Sequence, residues 1–502
     1  MMADENLSGD VLREATSDRL QQELQKINMM SRVSQKIEMF PAKKKEFLYD
    51  ADKYRDKKQS NKNNALLDKY YCERNSILTD YFKITDIRTI CNLFMVISLI
   101  LFINIIACDI MESKTLSIGI ITIQKAFAKF PSSLYIWLCM KILMISVYAV
   151  FNVWAYQRLE FLPKSLIRKV WDYGWLTVFI VYNILFIVFS TKAVVDEDLP
   201  IACSFFILME LWRMIMKNYA FVRSSAPKFL SYKVHNETAP PSNSGFSHYV
   251  YFLFAPTLVY RDNYPRTKRI RWMVVIKHFA QVGIVIFYQA FIVERFIIPV
   301  FNVFGTRDLE QKWYIKSTLD AIIPCLFILI SGNYLLLHAW MNGWAEILRF
   351  ADRLFYKDWW NSTNFSVMFP RWNVVVHDWL YTYVYKEMYK IAPRNRSLSI
   401  FIVFFLSSIV HDYIVGFACR FYCPTYFIMF LGFGCSYTFA KRYVNSNIFF
   451  WICICVCMAL MFSTYSMEYY ARLNCAPHPN YYVDLFLPRS WNCLRVEDPI
   501  SD

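Results

Sequence analysis

The chain has 502 residues, of which 56% are apolar and 18% aromatic, with only 11 glycines. Soluble domains carry less apolar content, and repeated apolar stretches of about eighteen residues or more are typical of membrane-spanning helices. The formal net charge of +15 is typical of nucleic-acid-binding proteins, but the positive residues cluster at the ends of the apolar stretches, where a membrane explains them better. We therefore predict an all-α, polytopic transmembrane protein that binds no nucleic acid.

The N-terminal part of the chain is polar and rich in lysine, so we expect no cleavable signal there. We predict a cytosolic arm over residues 1–87 and a transmembrane domain over residues 88–502. Within the arm, the apolar positions between Asp10 and Met39 are typical of one amphipathic helix. This helix either joins copies of the chain or is a solvated arm.

Hydropathy along the chain predicts nine spans, with ends defined only to within several residues. They cover residues 89–109, 134–157, 174–194, 200–216, 272–298, 318–340, 398–420, 424–440 and 447–467.

The charge of the loops alternates along these spans. Lysine and arginine clusters precede the first span and follow the second, fourth and eighth, whereas an acidic loop, residues 195–200, joins the third span to the fourth. Because positive loops remain in the cytosol, we predict a cytosolic N-terminus. Nine spans, an odd number, then place the C-terminus in the lumen.

Most of the 14 cysteines lie in apolar spans, but Cys475 and Cys493 bracket a polar C-terminal segment. A disulfide between them requires an oxidising compartment, which the lumen of the endoplasmic reticulum supplies. Two unpaired thiols are the alternative. The disulfide agrees with a lumenal C-terminus and predicts a multi-pass protein of the endoplasmic reticulum membrane.

Residues 355–389, between the sixth and seventh spans, are too polar to span and too aromatic for an ordinary loop. The first part, Phe355–Asn361, has the composition to hold a planar, anionic ligand, although interfacial tryptophans are usually anchors. In the second part a polar residue recurs at every fourth position, which indicates one helical face. That face is either the lining of a polar channel or the wet side of an interfacial helix. Its residues are Asn373, His377, Tyr381 and Tyr385.

His411 lies in the middle of the apolar seventh span. An ionisable residue at this depth is costly and indicates a functional site, although a histidine that hydrogen-bonds a neighbouring helix also explains it. Ser407 and Ser408, four and three residues earlier, lie on the same helical face. Asp412 points about 100° away and is not an obvious orienting partner.

Soluble-enzyme motifs are missing from the sequence. It has no nucleophile elbow, no phosphate-binding loop and no dinucleotide-binding glycine pattern, and its seven histidines show no metal-ligand spacing. We therefore predict no metal site, and any catalysis must use a buried base. Histidine suits this role because it can take a proton from an alcohol that attacks an activated acyl group. An amide such as Asn373 can donate to the carbonyl oxygen.

Several blocks of the chain resemble the membrane-bound O-acyltransferases, and in particular their sterol branch. Phe355–Asn361 matches the Phe-Tyr-x-Asp-Trp-Trp-Asn motif that sterol and diacylglycerol acyltransferases share, whereas residues 372–385 are closer to the sterol branch. Phe254–Pro265 and Pro488–Cys493 also resemble sterol-branch blocks. The similarity runs from about Leu78 to the C-terminus. One departure is Asp412, where the family has glutamate.

The resemblance implies a role for each of these residues. His411 is expected to be the general base and Asn373 its catalytic partner, while His377 is expected to line the sterol pocket. The residues expected to bind acyl-CoA are Trp372, Tyr385, Arg396, Ser407, Phe355, Tyr356, Asp358, Trp359, Trp360 and Asn361. Acyl-CoA is a co-substrate and no cofactor is expected. The family also implies a homo-oligomer, a dimer or a tetramer.

The expected activity is transfer of a long-chain fatty acyl group from acyl-CoA to a sterol hydroxyl. A diacylglycerol or fatty-alcohol acyltransferase is the alternative within the same class, since the acceptor depends on pocket shape. A transporter in which His411 relays protons is the alternative from another class. Transporters often contain inverted repeats and helices broken by glycine, and the sequence shows neither.

Overall fold

A computed structural model describes residues 68–112, 118–163, 165–232, 245–306, 310–393, 395–435 and 445–491, together with residue 493. These residues are helical apart from their connections, and they contain two isolated β-bridges and no sheet. The amphipathic helix predicted between Asp10 and Met39 lies outside the described residues.

The described helices are numbered in chain order. They are α1 (Ile77–Tyr81), α2 (Thr85–Met111), α3 (Ile120–Ala126), α4 (Phe130–Glu160), α5 (Leu166–Asp196), α6 (Ile201–Leu230), α7 (Phe246–Phe254), α8 (Trp272–Phe301), α9 (Gln311–Ile347), α10 (Phe365–Trp372), α11 (Val374–Leu380, continued by Tyr381–Tyr385 and Lys386–Ile391), α12 (Arg396–Cys419), α13 (Thr425–Phe427, continued by Ile428–Cys435), α14 (Asn447–Asn474) and α15 (Tyr481–Phe486). The helices α8, α9, α11 and α13 each contain a π-helical segment.

The predicted membrane architecture is confirmed. Within the described ranges, seven helices are long and apolar enough to cross a membrane: α2, α4, α5, α8, α9, α12 and α14. Each coincides with a predicted span. The other two predicted spans coincide with α6 and with the described part of α13, so the estimate of about nine spans is a fair approximation.

Helix α6 is much longer than its predicted span. Hydropathy predicts that this span ends at residue 216, but the helix continues to Leu230. Its second half carries Lys217, Asn218 and Ser225, all of which are buried inside the protein. A hydropathy profile interprets polar residues as the end of a span, whereas this helix retains them because neighbouring helices surround it.

The largest hydrophobic core lies among α4, α5, α6, α7 and α11. Helix α7 is embedded in it: Tyr249 is fully buried, and its hydroxyl donates to the carbonyl oxygen of Met144 at 2.6 Å. The indole nitrogen of Trp379 on α11 donates to the carbonyl oxygen of Met216 on α6 at 2.8 Å. The core therefore fixes α11, which carries several of the predicted site residues.

The segment before α2 is anchored to the same body of the protein. Arg74 forms an ion pair with the buried carboxylate of Asp352 at 2.7 Å. The hydroxyl of Ser76 is 3.0 Å from that of Tyr356 and 3.2 Å from Nδ1 of His338. The predicted domain boundary between residues 87 and 88 stays a prediction.

Helix α2 makes its contacts mainly through its second half. The ring of Phe102 packs against Phe287 and Phe291 of α8, and the buried carboxylate of Asp109 pairs with Arg295 at 3.0 Å. Most of its large apolar side chains are exposed. In a membrane these side chains would face lipid.

The C-terminal segment folds back over the end of α14. Cys475 and Cys493 form a disulfide, which confirms the predicted pair and excludes the two free thiols. Buried Glu468 of α14 accepts the backbone N–H groups of Arg489 at 3.0 Å and Ser490 at 3.1 Å, and Arg472 of α14 pairs with Asp484 at 3.5 Å. The segment is therefore held to α14 by a covalent bond, two hydrogen bonds and an ion pair.

Candidate active site

His411 lies in the middle of α12 with its imidazole partly buried. Its Nδ1 is 2.7 Å from the backbone carbonyl oxygen of Ser407, one turn earlier. A carbonyl oxygen can only accept, so Nδ1 carries the hydrogen and the neutral ring keeps its lone pair on Nε2. The described part of the chain provides Nε2 with no hydrogen-bond partner. The imidazole is therefore in the tautomer that a general base needs.

The backbone, rather than a serine hydroxyl, orients this ring. Ser407 contributes its carbonyl oxygen, and the buried hydroxyl of Ser408 donates to the carbonyl oxygen of Phe405 at 2.8 Å. The two serines lie on the helical face of His411 as predicted, but only Ser407 bonds to the imidazole, and it does so through its backbone carbonyl oxygen.

Two aromatic rings of α13 lie against the imidazole. The centroid of Phe430 is 4.9 Å from that of His411 and the centroid of Tyr426 is 5.5 Å away, both at interplanar angles below 30°. Rings stacked in this way lie on the faces of the imidazole, whereas its nitrogens form hydrogen bonds in the ring plane. The two rings are called the aromatic wall below.

Asn373 lies between α10 and α11 and caps the second of these helices. Its backbone is extended, and its Oδ1 accepts the N–H of Val376 at 3.1 Å. Because the oxygen is committed to the cap, the side-chain amide nitrogen is the group that can donate elsewhere. The first turn of α11 therefore presents a hydrogen-bond donor of the kind that stabilises an oxyanion.

The polar stripe on α11 forms a row of stacked rings. Successive rings of His377, Tyr381, Tyr385 and Tyr389 lie 5.5 to 6.2 Å apart at interplanar angles of 10° to 18°. An α-helix rotates residues four apart gradually around its axis, and the wider π turn at residues 381–385 counteracts this rotation. The predicted single face is thus a continuous aromatic surface.

His377, the predicted sterol contact, is adjacent to an ion pair. Asp378 accepts from Lys69 at 2.6 Å, and its other oxygen is 3.8 Å from Nδ1 of His377. Burial raises the pKa of Asp378, but the hydrogen bond from His377 and the charge of Lys69 outweigh it, so the pKa lies below its ordinary range. Asp378 is therefore a carboxylate at neutral pH.

The rings of the Phe355–Asn361 block point mostly into the protein. Phe355, Tyr356 and Trp359 are at most 3% exposed. Trp360 is partly buried and packs on Trp359, with the ring centroids 5.9 Å apart. The aromatic rings therefore fix the shape of this loop, and they do not form an open stacking surface.

The polar groups of the same block lie nearer the surface. Asp358 is partly exposed and its carboxylate is 3.4 Å from Arg371, and Asn361 is exposed. The hydroxyl of Tyr356 is instead buried, and burial raises the pKa of Tyr356 despite its bond to Ser76. Lys357, which is also exposed, Asp358 and Asn361 are therefore the polar members of the block that a ligand in water can reach.

Of the remaining predicted acyl-CoA contacts, Trp372 touches the same block, whereas Tyr385 and Arg396 lie on α11 and at the start of α12. Trp372 packs on Trp359 with 4.5 Å between ring centroids, and Tyr385 is in the ring row of α11. Helix α12, which begins at exposed Arg396, packs against the π segment of α11. Among the predicted acyl-CoA contacts, Arg396 is thus a cation exposed to solvent, where it can bind a phosphate group.

A row of rings links the base to the helix that precedes Asn373. Phe369 of α10 is 5.0 Å from Phe404 of α12 and 6.1 Å from Phe430, measured between ring centroids. Phe430 in turn stacks on His411. Helix α10 is therefore linked to His411 through Phe430, and Asn373 directly follows α10. Among the described residues the side chain of Asn373 bonds to Val376 and that of His411 to Ser407, so no hydrogen bond joins the two.

Sequence reasoning missed the aromatic wall. Tyr426 and Phe430 lie in a stretch that reads only as an apolar span, and their spacing of four residues was the available signal. Their contact with His411 depends on how α12 and α13 pack.

The residues described include no cluster of three or more histidine, cysteine, aspartate or glutamate side chains with the arrangement of a metal site. The prediction of no metal site remains a prediction.

Comparison with known proteins identifies the family. The model of the membrane-bound O-acyltransferase family matches residues 123–467, a range that includes both Asn373 and His411. The chain belongs to the membrane-bound O-acyltransferase family. This confirms the resemblance that the sequence blocks indicated, and with it an acyltransferase on an all-helical membrane fold.

Within this family the chain is similar to sterol O-acyltransferases. It is 34% identical over 442 residues to Sterol O-acyltransferase 1 of Mus musculus, a match that covers 85% of this chain and 80% of the relative. It is 32% identical over 434 residues to Sterol O-acyltransferase 2 of Homo sapiens, covering 85% of this chain and 80% of the relative.

Proposed function

We propose that the chain is a sterol O-acyltransferase that esterifies a sterol hydroxyl with a long-chain fatty acyl group from acyl-CoA. The observation that carries this proposal is the hydrogen bond from Nδ1 of His411 to the carbonyl oxygen of Ser407, which leaves Nε2 available as a base inside a lipid-spanning helix. The names of the relatives support sterol as the acceptor.

The proposed reaction is a direct transfer. Nε2 of His411 takes the proton of the sterol hydroxyl while the hydroxyl oxygen attacks the thioester carbonyl carbon. A new C–O bond forms, the C–S bond breaks, and the imidazolium returns its proton to the leaving thiolate of CoA. Charge that develops on the carbonyl oxygen is stabilised by the amide of Asn373, an effect typically worth about 100- to 1,000-fold in rate.

The site residues divide between the two substrates. We assign acyl-CoA to the surface formed by Trp372, Tyr385, Arg396, Ser407 and the Phe355–Asn361 block. The accessible polar groups of that block are Lys357, Asp358 and Asn361. We assign the sterol to the side of His377. Sterol can enter from the bilayer, whereas acyl-CoA comes from the cytosol.

We place the protein in the endoplasmic reticulum membrane with a cytosolic N-terminus and a lumenal C-terminus. The alternation of charge along the loops supports this orientation. The disulfide between Cys475 and Cys493 supports a C-terminal segment in an oxidising compartment. We also propose that the enzyme is a homodimer or a tetramer.

The deciding experiment is an acyl-transfer assay. Membranes containing the protein are given labelled oleoyl-CoA with either cholesterol or diacylglycerol, and ester formation is measured for the wild type and for His411→Ala. His248→Ala, which changes an exposed histidine outside the site, is the control. We expect sterol ester from the wild type and the control and none from His411→Ala.

If the wild type esterified diacylglycerol and not cholesterol, the proposed acceptor would be wrong. Activity in His411→Ala equal to that of the wild type would exclude the proposed base.

A further inference from the structure

Asp412, the residue after the base, makes its contacts with another helix. Its carboxylate is 5% exposed at the residue level and accepts the backbone N–H groups of Tyr426 at 3.1 Å and Phe427 at 2.9 Å. These groups belong to the first turn of α13, where a helix has no acceptor of its own for its N–H groups. A carboxylate at this end also interacts favourably with the helix dipole. Asp412 thus caps α13 from a different helix.

A third helix joins the same carboxylate. The hydroxyl of Tyr465 on α14 is 3.3 Å from Asp412 and 2.7 Å from the carbonyl oxygen of Cys423, in the loop between α12 and α13. Asp412 therefore fixes the position of α13 relative to both α12 and α14.

The helix that Asp412 holds is the one that carries the aromatic wall. Tyr426 and Phe430 are four residues apart on one face of α13, and both rings lie on the imidazole of His411. His411 has two restraints: its own helix holds Nδ1, and the wall fixes the plane of the ring. A displacement of α13 would remove the second restraint.

Asp412 cannot act as the acceptor that orients a catalytic histidine directly. The Nδ1 hydrogen of His411 is already donated to Ser407, and the carboxylate of Asp412 is engaged with Tyr426 and Phe427. Its effect on the base must pass through α13.

We propose that Asp412 is a positioning residue, which fixes α13 so that Tyr426 and Phe430 hold the imidazole of His411 in its catalytic orientation. This inference rests on the proposed function, in which His411 is the general base. A misplacement of about 1 Å in a reacting group can cost about 100-fold in rate. The loss should therefore appear in kcat, because neither the sterol nor the acyl-CoA need contact Asp412.

Four variants test the proposal in the full-length protein. Asp412→Asn keeps the side-chain volume but retains only one oxygen acceptor, and Asp412→Glu keeps the carboxylate. Phe430→Leu removes one ring of the wall without any change of charge. Phe427→Leu is the matched control, since it removes a ring on the same helix that packs on Phe405 instead of His411.

In steady-state assays with oleoyl-CoA and cholesterol, we expect kcat to be at least about tenfold lower for Asp412→Asn and for Phe430→Leu than for the wild type. Both KM values should remain within about threefold of the wild type. Asp412→Glu should recover most of kcat, and Phe427→Leu should match the wild type. The double variant Asp412→Asn/Phe430→Leu should be little slower than the slower single variant, because both changes remove the same restraint.

Three outcomes would overturn the inference while leaving the proposed function intact: full kcat in Phe430→Leu, equal losses in Phe430→Leu and Phe427→Leu, or multiplied losses in the double variant. Phe430→Leu decides the matter if Asp412→Asn does not fold. Failure of the proposed function is a separate result, since the wild type would then form no sterol ester or His411→Ala would be fully active.

Discussion

The side-chain nitrogen of Lys217 is 2.7 Å from the carbonyl oxygen of Ala255 in the fully buried interior. It also donates to the carbonyl oxygen of Phe252 at 2.5 Å. Both oxygens lie at the C-terminal end of α7, where a helix has carbonyl groups without intrahelical donors. A lysine of α6 thus caps an embedded helix that water does not reach.

Replacing Lys217 should destabilise the whole protein. In Lys217→Met the buried carbonyl oxygen of Phe252 loses its donor, whereas that of Ala255 keeps the backbone N–H of Thr257 at 2.8 Å. A buried carbonyl group without a donor costs about 1–3 kcal/mol. Lys228→Met is the control, because Lys228 pairs with exposed Asp262 at 2.7 Å and such surface pairs contribute about 0–1 kcal/mol. Thermal unfolding in detergent should show a clear drop in Tm for the first variant and little change for the second.

Asn373→Asp should separate the capping role of this residue from its proposed catalytic role. Aspartate keeps the oxygen that accepts the N–H of Val376 but has no amide to donate. We expect a normal Tm and a loss of about 100-fold or more in kcat. Asn364→Asp makes the same change at the cap of α10, where Oδ1 accepts from Val367 at 3.0 Å, and should remain active. Equal kcat in the two variants would remove Asn373 from the chemistry.

His377 and Tyr385 should affect different substrates, although both belong to one row of rings. We expect His377→Leu to raise the KM for sterol about threefold to tenfold with little change in the KM for acyl-CoA. Tyr385→Leu should have the opposite pattern. Each variant serves as the control for the other in assays that vary one substrate at a time. A parallel rise of both constants in both variants would indicate a general distortion of α11.

The ion pair of Lys69 and Asp378 should contribute pH-dependent stability. The pKa of Asp378 is lower in the folded protein than its unfolded value of about 3.9, so the pair is fully present above that value. Its contribution is lost as the pH falls through the lower folded pKa. Asp378→Asn should therefore lower the free energy of unfolding by about 2 kcal/mol at pH 7, and the difference should shrink below about pH 4. Asp262→Asn, in the exposed pair with Lys228, provides the comparison. A difference that grows on acidification would contradict the assignment.

Gly305→Ala should disturb the disulfide-closed C-terminal segment. Gly305 has φ of +89°, and a Cβ there would lie 2.8 Å from Sγ of Cys475 and 3.1 Å from Cα of Ala471. Alanine is strained in this conformation and clashes with the disulfide. We expect a lower Tm and a larger fraction of Cys475 and Cys493 open to alkylation without reductant. Gly283→Ala on α8, where an added Cβ meets no atom within 4 Å, should leave both measurements unchanged.

The sequence was sufficient to predict the membrane spans and the candidate base. Spans are set by local apolar content, and His411 is conspicuous because a histidine is rare at that depth. Hydropathy did not predict the polar second half of α6, because Lys217 is stable there only where α7 supplies its hydrogen-bond acceptors. Local composition contains no information about a partner helix.

The role of Asp412 shows the same limit. Helical geometry predicts that the side chain of Asp412 points away from that of His411. Its bonds to Tyr426 and Phe427, however, depend on how the chain returns after α12. The composition of the Phe355–Asn361 block likewise indicated aromatic rings available to a ligand, whereas the packing buries Phe355, Tyr356 and Trp359.

The attachment of α2 makes this helix responsive to the thickness of the membrane. Its 27 residues extend about 40 Å at about 1.5 Å per residue, against a hydrocarbon layer of about 30 Å. A helix with this mismatch tilts, and Phe102 and Asp109 hold α2 to the bundle through its second half. The chain directly before α2 is also held, because the ring of Phe82 contacts that of His338. A change in bilayer thickness must therefore be met by the tilt of α2 between two attachments, and not by a free end.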